Sequence, residues 1–299
     1  MAAEVVVRAP TEADAAAVAD VCNELSGTLY GVADLSPEEV RYWLSLPELG
    51  TVVAERDGAV AGYADFRRRG SGSIEIDLRV RPAAAGLGVA DALLGAAEAF
   101  APGTTGRCLV SERDDEGRSA LGRRGYRLIR HSFYMQIELS EPPESPAWPP
   151  GFAVRRYAGP ADERPVYACQ QESFRDHWEF RAMPFEEWRR YSFGRPTFDP
   201  SLWWLAESGD ELAGICLNDW HATGDRTFGW IGTLGVRKPW RGRGLGLALL
   251  RHSFADFARL GATRVGLTVD GENTTGAVRL YERAGMRQVR RVDIYERTL

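Results

Sequence analysis

Lysine is all but missing from this 299-residue chain: Lys238 is the only one, and arginine carries the remaining positive charge. Acidic residues outnumber basic ones, 42 against 37, for a net charge of -5. Nucleic-acid-binding domains concentrate positive charge, so that role is excluded as the dominant one. Long apolar runs are absent as well, none approaching the ~18 residues that cross a bilayer. The opening MAAEVVVRAPTEADAA is acidic early and lacks the basic-then-apolar order of an export signal, so a cytoplasmic protein is expected. Cysteine is limited to Cys22, Cys108, Cys169 and Cys216, and histidine to His131, His177, His221 and His252. No CxxC pair, HExxH motif or ligand cluster joins them, so neither a disulfide framework nor a metal is expected. What remains is an ordinary globular composition, 44% hydrophobic and 26% charged. At ~150 residues per domain, the length suggests two domains.

An internal repeat supports that division. AERDGAVAG from Ala54 matches AESGDELAG from Ala206; VRPAAAGLGVADALL from Val80 matches VRKPWRGRGLGLALL from Val236; GRRGY from Gly122 matches ERAGM from Glu282. The order is kept while the spacing drifts by a few residues, as loop insertions produce. Between the copies lies EPPESPAWPPG, whose prolines oppose both helix and sheet. The expected organisation is therefore an N-terminal domain over 1–141, a linker over 142–151 and a C-terminal domain over 152–299.

In the second copy, a strand from Phe152 precedes two helices, Ala161 to Phe174 and one begun by MPFEEWRRY. Strands follow at Leu202 to Glu207, Leu212 to Asp219 and Thr227 to Val236. Leu245 to Arg259 has apolar residues at helical spacing and stops at Gly261. Thr263 to Val269 reads as a strand, Thr275 to Ala284 as a helix stopped by Gly285, and Val289 to Tyr295 as a final strand. The order fits neither a pure parallel alternation nor an all-β pattern. It fits an α+β fold, a mixed sheet with helices on both faces.

The sharpest motif is Arg241-Gly242-Arg243-Gly244-Leu245-Gly246, after a strand and at the start of a helix. Unpaired N–H groups and the helix dipole favour an anion there. Glycines let the backbone approach it, and guanidinium matches phosphate. The spacing is neither that of a Walker loop nor that of a dinucleotide GxGxxG, but it suits the pyrophosphate of a nucleotide-containing cofactor.

LGVRKPWRGRGLGLALL resembles the cofactor motif of the GNAT acetyltransferase superfamily, Arg/Gln-x-x-Gly-x-Gly/Ala, with Arg241, Gly244 and Gly246 at its fixed positions. VDGENTTGAVRLYERAGM resembles the second half of the same core through Asn273, Leu280, Tyr281 and Gly285. The two-copy arrangement is similar to the mycothiol synthase branch, which acetylates the cysteinyl amine of a thiol pseudodisaccharide. The resemblance implies two tandem GNAT folds, each with a mixed, mostly antiparallel sheet, and acetyl-CoA as cosubstrate. It implies that the strand over Leu234, Gly235 and Val236 pairs with the pantetheine arm, with Asn273 bonding the arm from the other side. A backbone N–H near Leu234 would polarise the thioester carbonyl, and Tyr281 would protonate the departing thiolate.

Many members of the superfamily carry an acidic base on the strand before the loop. WIGTLGV, from Trp230 to Val236, has none; Thr233 is its only polar side chain. Asp219, His221, Asp176 and His177 are candidates, as is a water relay. The acceptor wall is expected in Ser173 to Trp188, with aromatics Phe174, Trp178, Phe180, Phe185 and Trp188, and with Asp176, Glu179, Glu186 and Glu187 favouring a cationic amine. In the first copy Gly86 and Gly88 survive and Ala90 stands for Gly246, but Ala85 replaces Arg241, Leu121 replaces Tyr281, and Asn273 falls near Arg113. That copy is expected to be degenerate, although Glu75 and Asp77 lie where a base could stand. The expected function is N-acetylation of a small-molecule amine by direct attack, without membrane or nucleic-acid partners. A protein or peptide acceptor and a non-catalytic acyl-CoA sensor are the alternatives.

Overall fold

The computed structural model describes residues 4–33, 35–69, 72–140, 143, 146–178, 180–273 and 275–299. The chain forms two compact units, 1–132 with 290–299, and 133–289. A cut at the proline-rich stretch, the boundary expected from sequence, does not reproduce them. Each unit takes a strand from the other half of the chain, which proline content cannot reveal. Of that stretch, 141–142 and 144–145 lie outside the described residues, as does Glu179.

The first unit runs β1 (Val5–Arg8), α1 (Ala15–Tyr30), α2 (Pro37–Leu44), β2 (Leu49–Arg56), β3 (Ala59–Arg69), β4 (Ser73–Val80), α3 (Val89–Ala99), β5 (Thr105–Ser111) and α4 (Asp115–Arg123). Strand β6 (Arg127–Glu138) begins in it and ends in the second unit. The second continues with β7 (Ala153–Arg156), α5 (Pro160–Ser173), α6 (Phe185–Phe193), β8 (Trp204–Ser208), β9 (Glu211–Trp220), β10 (Phe228–Val236), α7 (Leu245–Arg259), β11 (Arg264–Asp270) and α8 (Ala277–Arg283). Strand β12 (Arg287–Thr298) starts in the second unit and completes the first.

Within the first unit the strand order is β1-β2-β3-β4-β5-β12, and within the second it is β6-β11-β10-β9-β8-β7. Within each, one pair is parallel, β4 with β5 and β10 with β11. The neighbours β1 to β4, β5 with β12, and β7 to β10 are antiparallel. This is the mixed, mostly antiparallel fold expected.

Strand β9 explains the layering. It is buried almost end to end, the mark of a strand covered on both faces. Ile215 and Leu217 pack with Val166, Cys169 and Trp188 of α5 and α6. Ala213 and Cys216 pack on the opposite face with Leu249, Phe254 and Phe257 of α7. Met135 of β6 belongs to this second core, and Tyr295 of β12 packs on the core of the first unit. The strand expected from Leu202 begins instead at Trp204, because Pro200–Leu202 forms a short 3-10 turn.

Candidate active site

A cleft of about 740 Å³ opens in the second unit between β10 and β11. Its origin is in the strand register. The parallel pairing lasts only from Phe228↔Arg264 to Trp230↔Gly266, after which the two strands continue without pairing to each other. Ile231 to Val236 form one wall and Leu267 to Asp270 the other. The separation begins at a bulge in β10, where the register against β9 shifts between Ile231 and Thr233 and leaves Gly232 as the extra residue. Beyond the bulge, a methyl on Gly235 would lie 3.0 Å from Ser173 Cβ, so glycine lets β10 pack tightly against α5.

The glycine loop closes the open end. Gly242 and Gly244 have φ of 75° and 87°, left-handed values that disfavour a side chain. Gly244 caps α7, and the bond from Ala248 N–H to Gly244 O begins the helical ladder. The N–H groups of Leu245, Gly246 and Leu247 therefore have no partner within the helix. With the helix dipole they form a donor cluster that fits an anionic diphosphate.

Ten of the eleven expected site residues line this cleft; Arg243 stands outside it, exposed on the loop. Arg241, expected beside the phosphates, is also held by the protein. Its Nε donates to Val236 O at 3.0 Å, one terminal nitrogen donates to Ser173 O at 2.8 Å, and the other to Asp176 Oδ2 at 2.8 Å. The guanidinium thus ties the loop to the ends of β10 and α5. That contact with Asp176 holds its carboxyl below the ordinary range. Asn273 Oδ1 accepts from Thr275 N–H at 2.8 Å, a local turn that fixes the side chain at the cleft edge and leaves its amide to donate. Tyr281 projects from α8 against the cleft. Burial, and then nearby Cys216, push its phenol above the ordinary range, so it stays protonated. Its hydroxyl has no hydrogen-bond partner among the described residues.

The expected aromatic wall is divided. Phe174 lines the cleft, its ring centroid 4.5 Å from that of His177. Phe185 and Trp188 instead stack with Tyr167 in the core under α5 and α6. Of the candidate bases, His177 lines the cleft, where burial lowers its pKa. His221 Nε2 lies 2.7 Å from the Tyr134 hydroxyl, its ring stacked on Phe228. Asp219 is buried beside the bulge, with Arg195 3.0 Å from its Oδ2. Exposed Arg279 and Arg283 also line the cleft and were missed from sequence. The Gly232 bulge was missed too; an isolated glycine inside a strand pattern was its available signal.

Two segments, 18–122 and 164–286, match the model of the acetyltransferase (GNAT) family. The chain belongs to that family, with two GNAT folds in tandem, and is an acyltransferase. It is similar to the mycothiol acetyltransferase of Geodermatophilus obscurus, 34% identical over 297 residues that cover 95% of this chain and 96% of that one. With its counterpart from Actinosynnema mirum it shares 34% identity over 242 residues, 78% of this chain and 79% of the other. Among solved structures, a GCN5-related N-acetyltransferase from Sphaerobacter thermophilus matches with a TM-score of 0.80 and 32% identity, covering 98% of this chain and 95% of that one. A tandem GNAT protein from the clavulanic acid biosynthesis pathway shares the fold, with a TM-score of 0.80 at 17% identity and 98% coverage of both chains.

Proposed function

We propose that the second unit transfers an acetyl group from acetyl-CoA to the amine of a small molecule by direct attack. The observation that carries this reading is the early end of β10–β11 pairing, which opens one continuous cleft from the bulge to the glycine loop. The loop donors hold the diphosphate. Leu234, Gly235 and Val236 offer backbone to the pantetheine arm, and the Asn273 amide approaches from the facing side. The thioester then lies beside Leu234, on the bulge side of the loop and about 7 Å from Val236 at ~3.3 Å per residue. A β10 N–H near Leu234 polarises the carbonyl. The amine attacks its carbon, the C–S bond breaks, and the Tyr281 hydroxyl protonates the sulfur. The relatives' names, which refer to mycothiol, favour a small-molecule acceptor over a protein.

The test is thiol release from acetyl-CoA with a panel of small amines and free peptide N-termini, with products identified by mass. Turnover of one or more small amines is expected. Acetylation of peptides alone would replace the acceptor class. Binding of acetyl-CoA without turnover of any amine would make the protein a sensor.

A further inference from the structure

The strand before the loop offers no carboxylate, yet an acceptor ammonium must lose a proton before it can attack. From the position and surroundings of the bulge, we infer that Asp219 of β9 is the proton acceptor, reached through the opening that Gly232 leaves in β10. This deepens the reading above and rests on it.

Four observations converge on Asp219. It lies opposite Trp230 in the β9–β10 register, one residue before the pairing shifts. Gly232, the extra residue, is exposed and lines the cleft. A methyl on Gly232 would lie 3.2 Å from Leu217 O and 3.3 Å from Asp219 Oδ2, with no other non-adjacent atom within 4 Å. The missing side chain therefore leaves a gap bounded by two oxygens, a lining suited to an N–H donor or one relaying water. The opposite carboxylate oxygen, Oδ1, is buried without a hydrogen-bond partner among the described residues. A carboxylate only 1% exposed, with an oxygen left unbonded, is costly unless that acceptor is used.

Location separates Asp219 from the other candidates. Asp176 is exposed and held by Arg241 beside Val236, at the loop end of β10. His177 has Asp270, Arg241 and Asp176 as its charged neighbours, groups of the loop end of the cleft. His221 is engaged with Tyr134. In the proposed sequence, the ammonium passes one proton to Asp219, directly or through one water. The free amine forms the N–C bond as the C–S bond breaks, and Tyr281 protonates the sulfur. The nitrogen's second proton restores the Tyr281 hydroxyl through solvent, and Asp219 then releases its own, for a net release of one proton per turnover.

The charged groups that set the Asp219 titration are Arg195, which favours the anion, and Asp199, which opposes it; the facing β10 residues, Trp230 and Gly232, are uncharged. Burial outweighs Arg195 and raises the carboxyl to about 6. The base must be ionised, so kcat/KM for the amine should rise with pH through about 6. Asp219→Asn should abolish that limb and lower kcat by ~10²-fold or more. Gly232→Ala, where no left-handed φ demands glycine, should cap the gap and raise the amine KM about tenfold while acetyl-CoA affinity, measured by calorimetry, stays within twofold. Retention of acetyl-CoA affinity in Asp219→Asn shows that the unit has folded. A wild type that acetylates no amine overturns both readings. Wild-type turnover together with an unchanged rate and pH limb in Asp219→Asn overturns this inference alone. If Asp219→Asn fails to bind acetyl-CoA, Gly232→Ala decides: an unchanged amine KM and kcat overturn the inference.

Discussion

The two loops of this chain share a backbone and differ in almost everything mounted on it. Gly86 and Gly88 have φ of 73° and 83°, within a few degrees of Gly242 and Gly244. Gly88 caps α3 as Gly244 caps α7. Yet Ala85 and Leu87 occupy the positions of Arg241 and Arg243, and fully buried Leu121 that of Tyr281. The sheets beneath them diverge as well. Strands β4 and β5 stay paired over five residues, Ser73↔Thr105 to Asp77↔Leu109, and β3–β4 has no shift in register. Strands β10 and β11 part after three, at the bulge. Glu75 and Asp77, which sequence offered as bases, are committed to arginines: Glu75 to Arg67 and Arg69, Asp77 to Arg79. Burial raises Glu75, but the charges of Arg69 and Arg67 outweigh it and leave the carboxyl below its ordinary range. Left-handed glycines and a buried helix are thus enough to maintain the loop's shape. An acyl-transfer site also needs the early splay, a proton donor and an available base. On this reading the first unit is a degenerate copy, and one tight acetyl-CoA site per chain is expected.

The largest predicted asymmetry is in turnover. Tyr281→Phe keeps the ring and removes the hydroxyl, so kcat should fall on the order of 10²-fold with acetyl-CoA affinity retained. Leu121→Ala should leave kcat of the folded protein unchanged, while chemical denaturation registers a loss of about 2–5 kcal/mol from the emptied core position. Activity lost only in folded Leu121→Ala protein would put the chemistry in the other unit.

The loop arginines sharpen the comparison further. Arg241→Ala removes three protein contacts, so it should lower both the melting temperature and acetyl-CoA affinity, the latter by about 1.5–3 kcal/mol. Arg243→Ala should weaken binding by ~1 kcal/mol or less, more at low salt, without a change in melting temperature. Identical behaviour of the two variants would refute the bracing role of Arg241. The smallest effect belongs to the double replacement Ala85→Arg with Leu87→Arg. Added charge alone should create at most a weak second calorimetric site, because β4 and β5 remain paired where β10 and β11 part. A second site as tight as the first would show that the cations, not the splay, separate the copies.

Sequence made the duplication and the loop legible because glycine spacing and helix starts are local properties. Arg241 was identified as part of the loop, but its bonds to Ser173 and Asp176 were out of reach, since those residues lie more than sixty positions away in the chain. Phe185 and Trp188 looked like a cleft wall because aromatic spacing does not reveal which face of α6 meets Tyr167. The Gly232 bulge depends on register between strands, and register is a tertiary property.

The ten residues from Arg290 to Leu299 have a consequence in time. They pair along β5 from Val292↔Ser111 to Thr298↔Thr105, and Leu299 N–H bonds Thr104 O at 2.8 Å. During synthesis, Ser132 leaves the peptidyl-transferase centre long before Arg290 is added. At ~5–20 residues per second the interval is on the order of 10–30 s. Throughout it, β5 is an open edge able to recruit a strand from another nascent chain. Completion of the first-made unit is thus deferred until the second has been synthesised, so a premature stop before Arg290 would damage the half that was synthesised first.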